Sequence, residues 1–338
     1  MKNSLIYIVL LCFACLTACE DKKEKTGKDS SSGETKSAKK EPVAPVFSGD
    51  SAYSFVKRQV DFGPRVPNTS AHWKCGEYLA RKLKSYGWET RTQQFEAKAF
   101  DGTTLHLTNI IGSYQPELAK RVLLAAHWDT RPFADQDADP NRIKEPIDGA
   151  NDGASGVGAL LEMARVISES ARKPAIGVDI IFFDGEDYGQ PDFAMDMGRA
   201  RDSWCLGSQY WAKNRHLPGY MAYYGILLDM VGAANARFAK EGTSMHYAPS
   251  VVDKVWKTGH ELGYGRYFVN VKTQPIIDDH TYINELAGLP MIDIIEYNMS
   301  GDGYFGDYWH THDDNMDVID PETLKAVGQT VLEVLYNE

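Results

Sequence analysis

Bulky apolar residues are spaced along this chain in two ways. In some stretches they recur every three or four positions, the repeat of a helix with one buried face. In others they alternate or run unbroken, as in half-buried and fully buried strands. Tyr53, Val56 and Val60 mark a first helix. Ser70 is placed to cap a second that runs to about Tyr86, with Cys75, Leu79, Leu83 and Tyr86 on one face. Residues 88–99 and 104–114 alternate and predict an antiparallel pair. From there strands and helices take turns. Apolar runs at 121–130, 178–187, 225–232 and 290–297 read as buried strands. Helical spacing appears at Val157, Leu160, Leu161, Ala164 and Ile167, again over 249–262, and at Leu324, Val327, Val331 and Leu335. The last of these helices is capped by Asp320 with Pro321 at its first position. The pattern predicts one α/β domain with a mixed, mostly parallel central sheet flanked by helices. No internal repeat interrupts it after Ser48.

The first 47 residues break the pattern. Lys2 precedes an apolar run, IYIVLLCFACLTAC, too short for a comfortable membrane span. The run ends in Leu16, Thr17, Ala18 and Cys19, which resembles a bacterial lipobox. That resemblance implies cleavage before Cys19, lipidation of Cys19, and a cell-envelope location on the periplasmic or outer-surface face. The stretch after Cys19 is rich in Lys, Glu, Ser, Gly and Pro and buries too little to offset its ordering entropy. The expected division is a signal peptide over 1–18, a disordered tether over 19–47 and a catalytic domain over 48–338. Nothing in the pattern sets an oligomeric state. The net charge of −11 argues against nucleic acid as a partner. Of the five cysteines, Cys75 and Cys205 fall in the domain. The compartment permits a disulfide, but the buried helical face around Cys75 favours two free thiols.

The chemistry gathers where strands end. After the run IIFF, Gly185 breaks the strand and Glu186 and Asp187 follow directly. Neighbours leaving a strand point different ways, so one can bind a metal while the other handles protons. His127 and Asp129 end the strand over 121–130, and Asp229 lies at the end of another. Asp152 sits in GANDGASG and His310 in WHTHDDN, both loops. Parallel α/β sheets bind ligands at the carboxyl ends of their strands. Zinc takes imidazole nitrogen and carboxylate oxygen, and a catalytic site leaves one position open. Asp152, Asp187 and His310 supply three such ligands. His127 and Asp229 offer a second metal position bridged by Asp152. Asp129 suits a partner that orients an imidazole, and Glu186 is placed as general base and acid.

HWD, GANDGASG, FFDGED, LLDMVG and WHTHDDN, in that order, resemble the blocks of the zinc-peptidase superfamily that holds bacterial aminopeptidases and glutaminyl-peptide cyclotransferases. The details lean to the cyclotransferases of the animal and bacterial type. FFDGED resembles their acid pair, and IDDH, residues 277–280, resembles a block with a carboxylate in their proton network. FGDYWH sets Phe305 and Trp309 where that family's substrate-binding aromatics precede the last zinc ligand. The resemblance implies one zinc per chain on Asp152, Asp187 and His310. It makes Glu186 the proton shuttle, and Asp229 and Asp278 its hydrogen-bonded partners. It implies cyclisation of the N-terminal glutamine of peptides and proteins to pyroglutamate, with release of ammonia. Two carboxylates in contact repel, so Asp278 is expected to share a proton with Asp229 and hold it off a second metal.

Two departures stand out. Asp187 occupies the place of a glutamate in the animal enzymes, and Asp293 the place of a histidine; Asp293 is given no role. Trp128 and Trp204 are both candidates for that family's other pocket tryptophan, and a core position suits either equally well. Two alternatives stay open: a two-zinc aminopeptidase, and a binding lipoprotein on a metallopeptidase-like fold. Zinc stoichiometry separates the three readings.

Overall fold

A computed structural model describes residues 41–197, 200, 202–298 and 304–338. The expected signal peptide, Cys19 and the tether as far as residue 40 lie outside the described residues.

The described residues open with α1 (Gly49–Val60) and α2 (Ser70–Ser85), then the hairpin β1 (Glu89–Lys98) and β2 (Thr104–Tyr114). β3 (Arg121–His127), α3 (Ala154–Glu169), β4 (Gly177–Phe183), α4 (Leu206–Lys213) and β5 (Tyr224–Asp229) follow. Next come β6 (Phe238–Lys240), α5 (Gly242–Tyr247), α6 (Pro249–Glu261), β7 (Phe268–Lys272) and α7 (Asp279–Tyr282). Strand β8 (Met291–Ile295) and α8 (Pro321–Tyr336) complete the domain. The central sheet runs β1-β2-β4-β3-β5-β8. β1, β2 and β4 pair antiparallel, whereas β4, β3, β5 and β8 run parallel. The sheet is thus mixed and mostly parallel, with helices on both faces, as the alternation predicts.

The period of two along each strand divides the core. Val122, Leu124 and Ala126 of β3 face one apolar cluster with α1, α3, α6 and α8; Leu123 and Ala125 face another with Trp211 of α4. β4 repeats the split, with Ile180 and Phe182 against Ile181 and Phe183. Helix α3 lies unusually close to the sheet at Gly156, where an added Cβ would sit 2.1 Å from the Leu228 carbonyl oxygen. Only glycine allows that approach.

Three details differ from expectation. Thr69, not Ser70, caps α2, its hydroxyl accepting the His72 amide. Order also begins before Ser48. The Val43 and Ala44 amides donate to Glu333, the Phe47 amide donates to Gln329, and Phe47 is fully buried against α8. The end of the expected tether is therefore part of the domain. Finally, β6 and β7 form a small parallel ribbon that the apolar pattern does not announce. Cys75 and Cys205 are buried and unpaired, as expected. Among the described residues no helix is long and apolar enough to cross a membrane.

Candidate metal centre and active site

The carboxyl ends of β3, β4 and β5 bring the predicted residues together. His127 closes β3 and Asp229 closes β5; Glu186 and Asp187 follow β4 through Gly185 at φ 71°. Asp152 leads into α3, and His310 follows β8 with a left-handed backbone at φ 55°. The His310 Nε2 atom is 3.3 Å from Asp187 Oδ1 and 3.6 Å from Asp152 Oδ2. His127 Nε2 is 3.0 Å from Asp152 Oδ1 and 3.2 Å from Asp229 Oδ1. One ligand atom each from Asp152, Asp187 and His310 falls within 4.8 Å of the others, and the same holds for His127, Asp152 and Asp229. Asp152 belongs to both sets.

The donor set fits a cation. Both Asp187 oxygens, Asp229 Oδ1 and both His127 nitrogens are buried with no hydrogen-bond partner. Buried polar atoms are otherwise almost always paired. A group of imidazole nitrogens and carboxylate oxygens in that state is suited to zinc.

A second layer holds these residues in place. Asp129 accepts the backbone amides of Glu186 at 3.1 Å and Asp187 at 3.2 Å, and its Oδ1 lies 3.6 Å from His127 Nδ1. It thus fixes the acid pair and faces the imidazole. Asp314 accepts the amides of Asn151 at 2.7 Å and Asp152 at 3.0 Å. Arg131, fully buried, donates to both oxygens of Asp135 at 2.6 Å and to the Asp187 carbonyl at 3.0 Å. Asp135 Oδ1 in turn faces His310 Nδ1 at 3.4 Å. Asp314, Arg131 and Asp135 escape a reading of the sequence. A charged pair inside RPFAD, directly after an apolar strand, is the signal for the last two.

Burial dominates the electrostatics. It pushes the Glu186 carboxyl well above the usual range; His127 opposes this, while Asp278 and Asp187 add to it. Burial likewise lifts Asp187 to about 6 and Asp229 to about 7. For His127 burial works downward, but the carboxylates of Asp129, Asp152 and Asp229 around it win and raise it well above an ordinary imidazole. Asp229 turns Oδ1 to His127, and Asp278 gathers with His280 and Asp293, one polar atom of each within 4.8 Å of the others. Asp278 acts on Asp229 through its charge. Burial first, then the charges of Asp278 and Asp229, push the Asp293 carboxyl well above the usual range.

Above the ligands opens a pocket of about 600 Å³. Glu186, Asp229 and Asp278 reach it beside Asp152, Asp187 and His310, and Trp204, Phe305 and Trp309 line its wall. Phe305 and Trp309 have ring centroids 4.9 Å apart, and Trp309 stacks on His310 at 3.6 Å. Trp204 lies parallel to the His310 ring and 4.5 Å from the Arg131 guanidinium. Trp204 is therefore the further pocket tryptophan. Trp128 stacks on His72 in the core and donates to the Thr108 carbonyl.

A mostly parallel sheet with such acids and histidines at its strand ends is the frame of a zinc-dependent exopeptidase-like protein. Residues 109–335 match Peptidase family M28, and the chain belongs to that family. Within it, the chain is 55% identical to a solved glutaminyl cyclase of Bacteroides thetaiotaomicron bound to N-acetylhistamine, over 87% of this chain and 99% of that one, with a TM-score of 0.85. It is 56% identical to a solved Zn-dependent exopeptidase of Parabacteroides distasonis, over 88% of this chain and 100% of that one, again with a TM-score of 0.85. A glutaminyl-peptide cyclotransferase of Drosophila melanogaster is 27% identical over 281 residues, 77% of this chain and 73% of that protein.

Proposed function

We propose that this protein is a glutaminyl-peptide cyclotransferase, closing the N-terminal glutamine of peptides and proteins to pyroglutamate and releasing ammonia. The observation that carries this reading is the place of Glu186, beside Asp187 at the floor of a pocket walled by Trp204, Phe305 and Trp309. The kinship to named glutaminyl cyclases supports it.

Asp152, Asp187 and His310 would hold one zinc per chain, which when bound polarises the side-chain amide carbonyl as a Lewis acid. The substrate's α-amine attacks the amide carbon, a C–N bond forms, and the bond to the side-chain nitrogen breaks. Glu186 takes a proton from the amine and returns it to the departing nitrogen. Its raised affinity for protons suits it to hold that proton between the two steps. Asp229 and Asp278 flank it and set the local charge. Phe305 and Trp309 cover the glutamine stem and exclude water, which suppresses hydrolysis. Attack within one residue needs little further ordering.

Ammonia release from glutaminyl peptides tests the reading, with leucyl and alanyl peptides as controls. Efficient release of N-terminal leucine or alanine, with no ammonia from glutaminyl peptides, overturns it. The convergence of His127, Asp152 and Asp229 favours one second reading, a two-metal aminopeptidase. Two tightly bound zincs per chain would go with that outcome.

We also propose that Cys19 carries a lipid that anchors the enzyme in the cell envelope, on the strength of LTAC after the apolar run. Cys19→Ser should move the protein to the soluble fraction; unchanged fractionation defeats the proposal.

A further inference from the structure

Cys205 stands out on two counts. Its backbone is left-handed, φ 57° and ψ 37°, at the residue that starts α4. Glycine takes that conformation freely, whereas a side chain there is strained, and such strain persists only where the surroundings impose it. The side chain is also fully buried and ends on Glu186: the thiol donates to Glu186 Oε1 at 3.2 Å. The backbones are joined as well. The Cys205 amide donates to the Glu186 carbonyl at 2.9 Å, and the Leu206 amide to the Gly185 carbonyl at 3.0 Å.

The consequence for the Glu186 carboxylate is directional. Among the described residues the Cys205 thiol is the hydrogen-bond donor that reaches it. Oε1 is occupied by sulfur, while Oε2 is left 4.0 Å from His127 Nδ1 in a side chain that lines the pocket. A glutamate has three side-chain torsions, and a proton shuttle must present one oxygen to the amine and then to the leaving nitrogen. A thiol is a weak donor. It can hold the rotamer and leave the carboxylate a base.

We infer that Cys205 is a positioning residue for Glu186: its left-handed backbone aims a thiol at Oε1 and fixes the carboxylate with Oε2 free for proton transfer. This rests on the reading of Glu186 as the proton shuttle.

The test compares Cys205→Ala with Cys205→Ser in the zinc-loaded enzyme, with Glu186→Gln as reference. Alanine and serine suffer the same left-handed backbone, so strain cancels between them. Cys205→Ala should lower kcat by about tenfold, the loss of one hydrogen bond to a charged group, with KM and zinc content unchanged. Cys205→Ser, which keeps a donor of similar length, should recover most of that kcat. Zinc content and thermal melting report whether the fold survives. An alanine variant with wild-type kcat overturns the inference. So does a serine variant as slow as alanine, which would mean lost packing, or a fall in which KM and zinc content move along with kcat. A fully active Glu186→Gln would instead sink the underlying role of Glu186.

Discussion

Asp135→Asn changes one charge and keeps the shape of the side chain. Asp135 and Arg131 form a buried pair, with side chains 4% and 0% exposed, joined by two bonds of 2.6 Å. Removing one partner of such a pair leaves the other charge stranded and costs about 3–5 kcal/mol. Here the lower end applies. Asparagine still accepts one bond, and Arg131 keeps its bonds to the Asp187 and Gly189 carbonyls at 3.0 and 3.4 Å. With an unfolding entropy of roughly 2 cal/mol/K per residue, about 3 kcal/mol lowers the melting temperature of a domain this size by about 5 °C. The same substitution frees the His310 ring, whose Nδ1 faces Asp135 at 3.4 Å. Loss of such a ligand-orienting carboxylate typically weakens metal binding about tenfold or more.

The pH dependence has a definite sign. Burial alone would raise the Asp135 carboxyl, but hydrogen bonds from Arg131 and His310 outweigh it and hold the group below its ordinary value. A depressed carboxyl contributes stability above its unfolded value, near about 4, and loses it as the pH falls toward the folded one. The gap in melting temperature between wild type and Asp135→Asn should be full at neutral pH and narrow in acid. Scanning calorimetry across pH reads the gap, and competition with a chelator reads the zinc. A variant that melts within about 1 °C of wild type at neutral pH, with equal zinc affinity, refutes the reasoning.

Glu186→Gln should retain zinc yet lose turnover worth about 3–5 kcal/mol in the transition state, measured by ammonia release. Asp187→Ala, by contrast, should lose the metal itself, as read by zinc content after dialysis. Glu241 accepts the amides of Thr243, Ser244 and Ile276 as well as a bond from His280. Burial raises this carboxyl, but those bonds, led by His280, hold it at about 2. Glu241→Gln should therefore cost on the order of 3 kcal/mol at neutral pH, and the deficit should fade below about pH 4, as acid unfolding curves would show. Gly156→Ala should destabilise by about 1–3 kcal/mol and displace the end of β5 with Asp229, since its Cβ meets Leu228 oxygen at 2.1 Å. Denaturant titration and turnover together check it.

His127, Asp187 and Asp229 were legible because each sits where a buried strand stops. An unbroken apolar run such as 180–183 announces a parallel strand, and a carboxylate or imidazole soon after it must lie at the ligand-binding edge. What was hidden depends on partners far away in the chain. Residues 43–47 look like tether until Glu333 and Gln329, nearly 300 positions on, supply their hydrogen bonds. Asp314 reads as one acid of a polar loop until the Asn151 and Asp152 amides reach it. Thr69 and Ser70 are equally good caps one step apart, so composition cannot choose between them. Asp293, given no role from the sequence, is brought beside Asp278 and His280 only by the fold.

The domain buries many carboxylates, and they fall into two kinds by what reaches their oxygens. Asp129, Asp314 and Glu241 each accept two or more backbone amides, and Asp184 accepts the Thr108 amide and His72. A carboxylate so supplied is complete, and its role is to hold a turn. Asp187 accepts no hydrogen bond, and neither does Oδ1 of Asp229. Buried charge in that state is costly unless something else completes it. Access decides what can. Asp187 and Asp229 line the pocket, so a cation or a substrate proton can arrive from solution. Asp293 also lacks donors but lies under the sheet edge, away from the pocket lining, and its raised proton affinity supplies the completion from within. The reactive acids are thus those left without amide donors and within reach of the pocket. By that criterion Asp187 is suited to a cation, whereas Asp293, out of reach of the pocket, is suited to a proton of its own.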